Sequence, residues 1–213
     1  IPQVETIVHN VNGKRTNVIL GPKNNILYGD GTITDHIKDL QFTLSPHSFF
    51  QVNPEQTTVL YDQALEYAGL KGDETVIDAY CGTGTISLFL AHKAKHVIGI
   101  EIVEPAIINA RENARNNGYD NTEFIVADAA VEMPKLYNAG VRPDVIVFDP
   151  IRAGCKEEVL TSAASMEPKR IVYVSCNPAT MARDIEILTH YGYELQEVQP
   201  VDMFPMTAHV EAV

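Results

Sequence analysis

From residue 75 to the end, short apolar runs alternate with amphipathic segments, and that alternation restricts the fold more than any other feature of the chain. TVIDAY leads into TISLFLAHKA, HVIGIE into EPAIINARENARNNG, and EFIVAD into a short helical piece. PDVIVFDP leads into EEVLTSAASM and RIVYVSC into a helix opened by Pro178, while YELQEVQPVDMF and AHVEAV close the chain. β-branched runs without polar alternation belong to strands buried on both faces, and parallel strands need crossovers that pass over the sheet. The fold class is therefore α/β: a Rossmann-like, mostly parallel sheet of seven strands with helices on both faces. The last two strands have no helix between them and are expected to form an antiparallel hairpin.

Residues 1–45 have a different texture. VETIVHNVNG, TNVIL, NILYGDGTITDHI and LQFTLS are short β-like runs separated by Asn-Gly, Gly-Pro and Asp-Gly turn signals. They read as hairpins, the tail of a β-rich module, followed by one catalytic-sized unit over residues 46–213. Residues 57–69 have helical spacing and stop at Gly69. The chain opens on Ile1-Pro2 and stops at HVEAV, a strand-like run, so it reads as a piece of a longer protein.

The bulk numbers remove several classes. The 213 residues are 45% hydrophobic and 21% charged, which suits one full domain and part of another. No apolar run reaches the ~18 residues of a membrane span, and no signal peptide is visible. Three scattered cysteines, Cys81, Cys155 and Cys176, point to a reducing cytoplasm and away from disulfides, a metal site or an iron–sulfur cluster in this segment. A net charge of −12 is unfavourable for a stand-alone nucleic-acid binder.

VIDAYCGTGTISLFLA is a strand, a glycine turn and a helix start. Gly82 and Gly84 let the backbone turn tightly and approach a ligand. Ser87 stands where a dinucleotide-binding turn would have its third glycine, which disfavours an NAD oxidoreductase. Asp78, Glu101 and Asp128 close three successive strands, where open α/β sheets bind ligands. An acid before the glycines suits an ammonium group, Glu101 is placed to accept both hydroxyls of a ribose, and Asp128 can face an adenine. That ordered set points to S-adenosylmethionine as cofactor and S-adenosylhomocysteine as product. The competing interpretation is that the three acids only cap the following helices.

IVYVSCNPATMARDI puts Cys176 where a strand runs out and a helix begins. A free cysteine is usually a small buried hydrophobe, yet a helix start favours a thiolate. Asp149 and Pro150 end the fourth strand, and Glu211 lies on the last one. At these positions the chain resembles the uridine-C5 RNA methyltransferase family, whose members make 5-methyluridine in tRNA and ribosomal RNA. The matching pieces are SFFQVN, DAYCGTGTISL, DPIRAG, SCNPATMARD and DMFPMTAHVE, in the family's order over residues 48–211.

The resemblance implies Cys176 as the nucleophile and Glu211 as the base that removes the C5 proton. It implies Gln51, Tyr80, Thr85, Glu101 and Asp149 around the methyl donor and the target base. It also implies an RNA partner, ribosomal RNA ahead of transfer RNA. The acidic charge in turn leads us to expect a basic RNA-binding domain N-terminal to these residues, and the protein is expected to be a monomer. Ile151 replaces the family's second proline in Asp-Pro-Pro-Arg, and Met206 stands where a polar residue is common. The chemistry needs these residue types: uracil C5 becomes nucleophilic after a thiolate adds to C6, and a carboxylate must then take the C5 hydrogen. The nucleotide must leave its stack to be reached.

Arg152 either contacts phosphate or pairs with an acid. His209 points the same way as Glu211 without needing to act. Cys81 and Cys155 read as structural. Two rivals stay open: a methyltransferase acting on an amine of a base or protein, which needs no thiol, and a non-catalytic interaction platform.

Overall fold

The computed structural model describes residues 3–15 and 19–213. Ile1-Pro2 and most of the expected TNVIL strand lie outside the described residues. Two antiparallel hairpins come first, β1 (Ile7–Val11) with β2 (Lys23–Tyr28) and β3 (Ile33–Ile37) with β4 (Leu40–Leu44). The first leaves Ile26, Leu27 and Tyr28 exposed. The second buries Ile37, Phe42 and Leu44 in the same core as Leu60 and Tyr61 of α1 (Pro54–Ala68). By packing, then, β3 and β4 share a core with residues beyond the expected boundary at 45. α1 starts on an Asn-Pro pair, with Asn53 Oδ1 accepting from the Gln56 N–H, and ends on Gly69 in the left-handed region.

The central sheet has five parallel strands in the order β7-β6-β5-β8-β9. These are β5 (Thr75–Asp78), β6 (His96–Glu101), β7 (Thr122–Val126), β8 (Val145–Phe148) and β9 (Arg170–Tyr173). Their side chains alternate between two cores. Val76, Val97, Val145 and Val172 face α1, α2 (Thr85–Ala91) and α3 (Glu104–Asn116). Ile77, Ile98, Ile146 and Tyr173 face α4 (Ala129–Asn138), α5 (Glu157–Ser165) and α6 (Pro178–Thr189). Strands apolar on both faces are what a sheet sandwiched between helices requires. The order reverses between β5 and β8, which opens a crevice at the carboxyl ends of the strands.

The α/β architecture is as the sequence indicates, but the strand count differs. Instead of seven continuous strands, the last two are short: β10 (Pro200–Val201) pairs antiparallel with β11 (Glu211–Ala212). One antiparallel bridge, Ser175 to Ala212, joins this pair to the chain leaving β9. The expected strand over YELQEVQ does not form: residues 194–199 are exposed, and of them only Gln199 joins the pairing, exchanging both backbone hydrogen bonds with Val213 at 2.9 Å.

Candidate active site

A cleft of about 560 Å³ lies at the order reversal. Both candidate catalytic residues, Cys176 and Glu211, line it, and so do all the candidate cofactor residues from Gln51 to Asp149 except Gly84.

One half of the cleft is built by the ends of β5, β6 and β7. Asp78 is fully buried; Ser87 Oγ donates to its Oδ2 at 2.6 Å, and its Oδ1 has no partner. Burial raises the Asp78 carboxyl to about 6, with the Ser87 hydrogen bond opposing. Gly82 sits at φ +53° with open space where a Cβ would point, so the turn is clear for a ligand. Gly84, at φ +82°, is needed for packing: a Cβ there would press on Ala110 and the Phe124 ring at 3.2 Å. Glu101 receives the Gly82 N–H (3.3 Å) and the Val103 N–H (2.9 Å) on separate oxygens, which fixes its carboxylate beside the turn. Asp128 does cap α4, accepting from the Ala130 N–H, and its other oxygen takes Lys156 Nζ at 2.8 Å. That pairing holds Asp128 below the usual carboxylate range.

The other half comes from three distant stretches. Ser175 and Ala212 exchange both backbone hydrogen bonds at 2.9 Å. Cys176 follows that single bridge at a bend and Glu211 precedes it on β11, so both reach the same cleft, near enough for the Glu211 charge to act on the thiol. Glu211 is 3% exposed, and burial raises its carboxyl while the Arg152 charge opposes. Asp149 is raised more strongly, by burial first and then by Glu211 and Asp78. Cys176 departs from the thiolate expectation. Burial pushes its thiol up, the Glu211 and Asp149 carboxylates push it further, and only Arg152 and its own backbone N–H oppose. The reason is positional: Asn177, not Cys176, caps α6, so the helix start serves its neighbour. Ionising the thiol therefore requires a proton acceptor or an added positive charge in the cleft.

The loop after β8 is clamped by α6. Asn177 Nδ2 and Thr180 Oγ1 donate to the Arg152 carbonyl at 3.1 and 3.3 Å, and Arg183 Nη2 to the Ala153 carbonyl at 3.0 Å. Buried Asp184 accepts from the Cys155 N–H (2.7 Å) and the Tyr173 hydroxyl (2.6 Å). Tyr80 lines the cleft beside buried Cys155. Gln51 is 7% exposed, and among the described residues its amide has no hydrogen-bond partner, leaving it available to a ligand. Thr85 Oγ1 meets the Tyr61 hydroxyl at 3.1 Å.

The sequence reading missed several participants. Ser87 is not merely a missing glycine but the donor to Asp78. Tyr61 reaches the cleft from α1, and Thr83 Oγ1 is a second buried atom without a partner. Lys156 closes the rim. A hydroxyl one helical turn past a glycine turn was the readable signal for Ser87; nothing local marked Tyr61. Among the described residues no group of three or more His, Cys, Asp or Glu is arranged to hold a metal ion.

A reversed-order parallel sheet with a glycine turn and acids at its strand ends defines the Rossmann-like fold of class I S-adenosylmethionine-dependent methyltransferases. The tRNA (uracil-5-)-methyltransferase family matches residues 23–213, and the chain belongs to that family. It is 61% identical to an uncharacterized RNA methyltransferase of Halalkalibacterium halodurans, over all of this chain and 46% of that protein. A Bacillus cereus uncharacterized RNA methyltransferase is 60% identical over 212 residues, also 46% of its length. The chain thus spans about half the length of the curated relatives it matches. The crystal structure of Pyrococcus abyssi tRNA (uracil-54, C5)-methyltransferase with S-adenosyl-L-homocysteine superposes with a TM-score of 0.80 at 33% identity, over 98% of this chain and 50% of that one.

Proposed function

We propose that this chain is the catalytic unit of an enzyme that transfers a methyl group from S-adenosylmethionine to C5 of a uridine in RNA, through a covalent bond between Cys176 and C6. The observation that carries the proposal is that Cys176 and Glu211, brought from two distant stretches of chain, line one cleft together with the unpartnered Asp78 oxygen. Family membership and the likeness to the Pyrococcus abyssi enzyme support it.

The residues fit the cofactor. Asp78 Oδ1, buried and without a donor, suits an ammonium group, and Gly82 leaves room for the chain that carries it. Glu101 would accept the ribose hydroxyls and Asp128 would lie at the adenine edge. When bound, S-adenosylmethionine supplies a cationic sulfonium bearing an electrophilic methyl group.

The protein's own groups then have distinct tasks. Gln51 and Asp149 orient the uracil edge. The half-buried Cys176 thiol gives its proton to solvent at the open side of the cleft. The resulting thiolate adds to C6, and the C5=C6 electrons shift onto C5 and the C4 carbonyl oxygen, which makes C5 nucleophilic. After C5 is methylated, Glu211 takes the C5 proton, the C5=C6 bond re-forms, and sulfur leaves C6 with the electrons of its bond. Burial raises the basicity of Glu211, which suits that last task.

Incubation with 5-fluorouridine-containing RNA and the methyl donor tests the reading, because fluorine at C5 cannot be removed as a cation. Mass spectrometry should find protein, RNA and methyl group in one covalent species, absent for Cys176→Ala. A cofactor-binding protein that forms no such species would favour the amine-methylating alternative. Parallel assays on ribosomal and transfer RNA decide which RNA is methylated.

A further inference from the structure

We propose that Arg152, held in place by His209, takes a phosphate flanking the target uridine and so seats the flipped nucleotide over Cys176 and Glu211. This rests on the uridine-C5 reading of the site and adds a substrate contact to it.

Two cations line the cleft, Arg152 and Lys156. Lys156 is already bonded to Asp128. Arg152 forms no ion pair with a carboxylate among the described residues, although the chain carries 28 acids. Its guanidinium instead meets His209, with Nη1 and Nη2 at 3.4 and 3.3 Å from Nδ1. A guanidinium only donates, so Nδ1 accepts and the imidazole proton sits on Nε2. A neutral acceptor orients the guanidinium without neutralising it.

The support extends outward on both sides. His209 packs edge-on against Phe204, with ring centroids 6.2 Å apart, and its backbone N–H donates to Thr207 Oγ1. The Arg152 carbonyl receives Asn177 Nδ2 and Thr180 Oγ1. Backbone and side chain are therefore both fixed, yet the residue is exposed at the rim. Cys176 and Glu211 lie deeper and take the base, which leaves the phosphodiester of an extruded nucleotide at that rim. Arginine matches phosphate geometry with two parallel N–H donors. A protein of net charge −12 gains more than most from one open cation at the mouth of its cleft.

The test uses the complete enzyme and a substrate RNA in which the phosphate on either side of the target uridine is replaced by a neutral methylphosphonate. Arg152→Gln should raise the KM for RNA by about tenfold to a hundredfold. It should also flatten the dependence of log affinity on log salt by about 0.7–0.9. One of the two neutral linkages should weaken wild-type binding to a similar degree and cost the Arg152→Gln enzyme nothing further. His209→Ala should shift KM in the same direction by less and add nothing to Arg152→Gln, while His209→Gln, which keeps an acceptor, should recover part of the loss.

Unchanged KM and salt dependence in Arg152→Gln would overturn the proposal. So would losses from both changes that simply multiply at each linkage, or an effect confined to kcat, which would put the guanidinium on the base instead. Cys176→Ala separates the two readings. If it still methylates uridine, the uridine-C5 mechanism fails; if it is inactive while Arg152→Gln binds RNA normally, only the phosphate contact fails.

Discussion

In the proposed mechanism Cys176 and Glu211 act in succession, so their variants should fail at different steps. Cys176→Ala should abolish methylation and every covalent RNA adduct. Glu211→Gln keeps the shape but removes the base, so C5 should be methylated and the enzyme trapped on C6 as a band stable on denaturing gels. A Glu211→Gln enzyme that turns over normally would refute the assignment. Asp78 gives a different signature. Its carboxyl is raised from 3.8 to about 6 inside the protein. Below pH 3.8 it is protonated in folded and unfolded chains alike; between those values the unfolded chain ionises first, and above about 6 the buried charge costs about 3 kcal/mol. Asp78→Asn should therefore raise the Tm of the ligand-free protein at pH 8 by several degrees while weakening S-adenosylmethionine binding. Calorimetry and titration of one sample would show both, and a variant lower in Tm would sink the argument.

Among the elements, α6 matters most, because its first turn holds the loop that carries Asp149 and Arg152. Asn177 both accepts from the Ala179 N–H and donates to the Arg152 carbonyl. Asn177→Ala should cost about 1 kcal/mol as a lost cap, and kcat should fall by more than that loss of stability predicts. Gly154 tests the same clamp from the loop side. It sits at φ +79°, and a Cβ there would lie 2.6 Å from Asp184 Oδ2 and from Arg183 Nη2. Gly154→Ala should destabilise by roughly 1–3 kcal/mol, with denaturant unfolding as the measurement. The helix and its Asn-Pro start were legible in SCNPATMARD, since capping is local chemistry. The clamp was not, because its partners lie in the loop after β8 and on β9 and meet α6 only when the sheet forms.

For the molecule as a whole, Asp149 and Glu211 shift in the same direction as Asp78. Asp128 and Asp144 shift the opposite way, but their lysine partners are exposed and such pairs contribute little. The ligand-free protein should consequently unfold at a higher temperature at pH 5.5 than at pH 8, and Asp78→Asn should narrow the difference. A scan showing greater stability at pH 8 would contradict the balance. The net charge of −12 makes a further prediction: these 213 residues alone should bind short RNA weakly at physiological salt, since phosphate neutralisation supplies most non-specific affinity. Filter binding as tight as that of a full-length relative would disprove it.

The layered α/β fold, the glycine turn and the acids at strand ends could be read directly, because periodicity, turn chemistry and the strand-end rule are properties of neighbouring residues. The five-strand count, the Ser87–Asp78 bond and the Arg152–His209 contact could not. The meeting of Cys176 and Glu211 in one cleft was available from the sequence only through family resemblance; in the fold, the bridge between Ser175 and Ala212 brings their two stretches of chain together. The thiol's raised pKa also belongs to the tertiary structure. A helix start is visible in the chain, but how deeply a sulfur is buried and which carboxylates face it depend on segments that packing alone brings together.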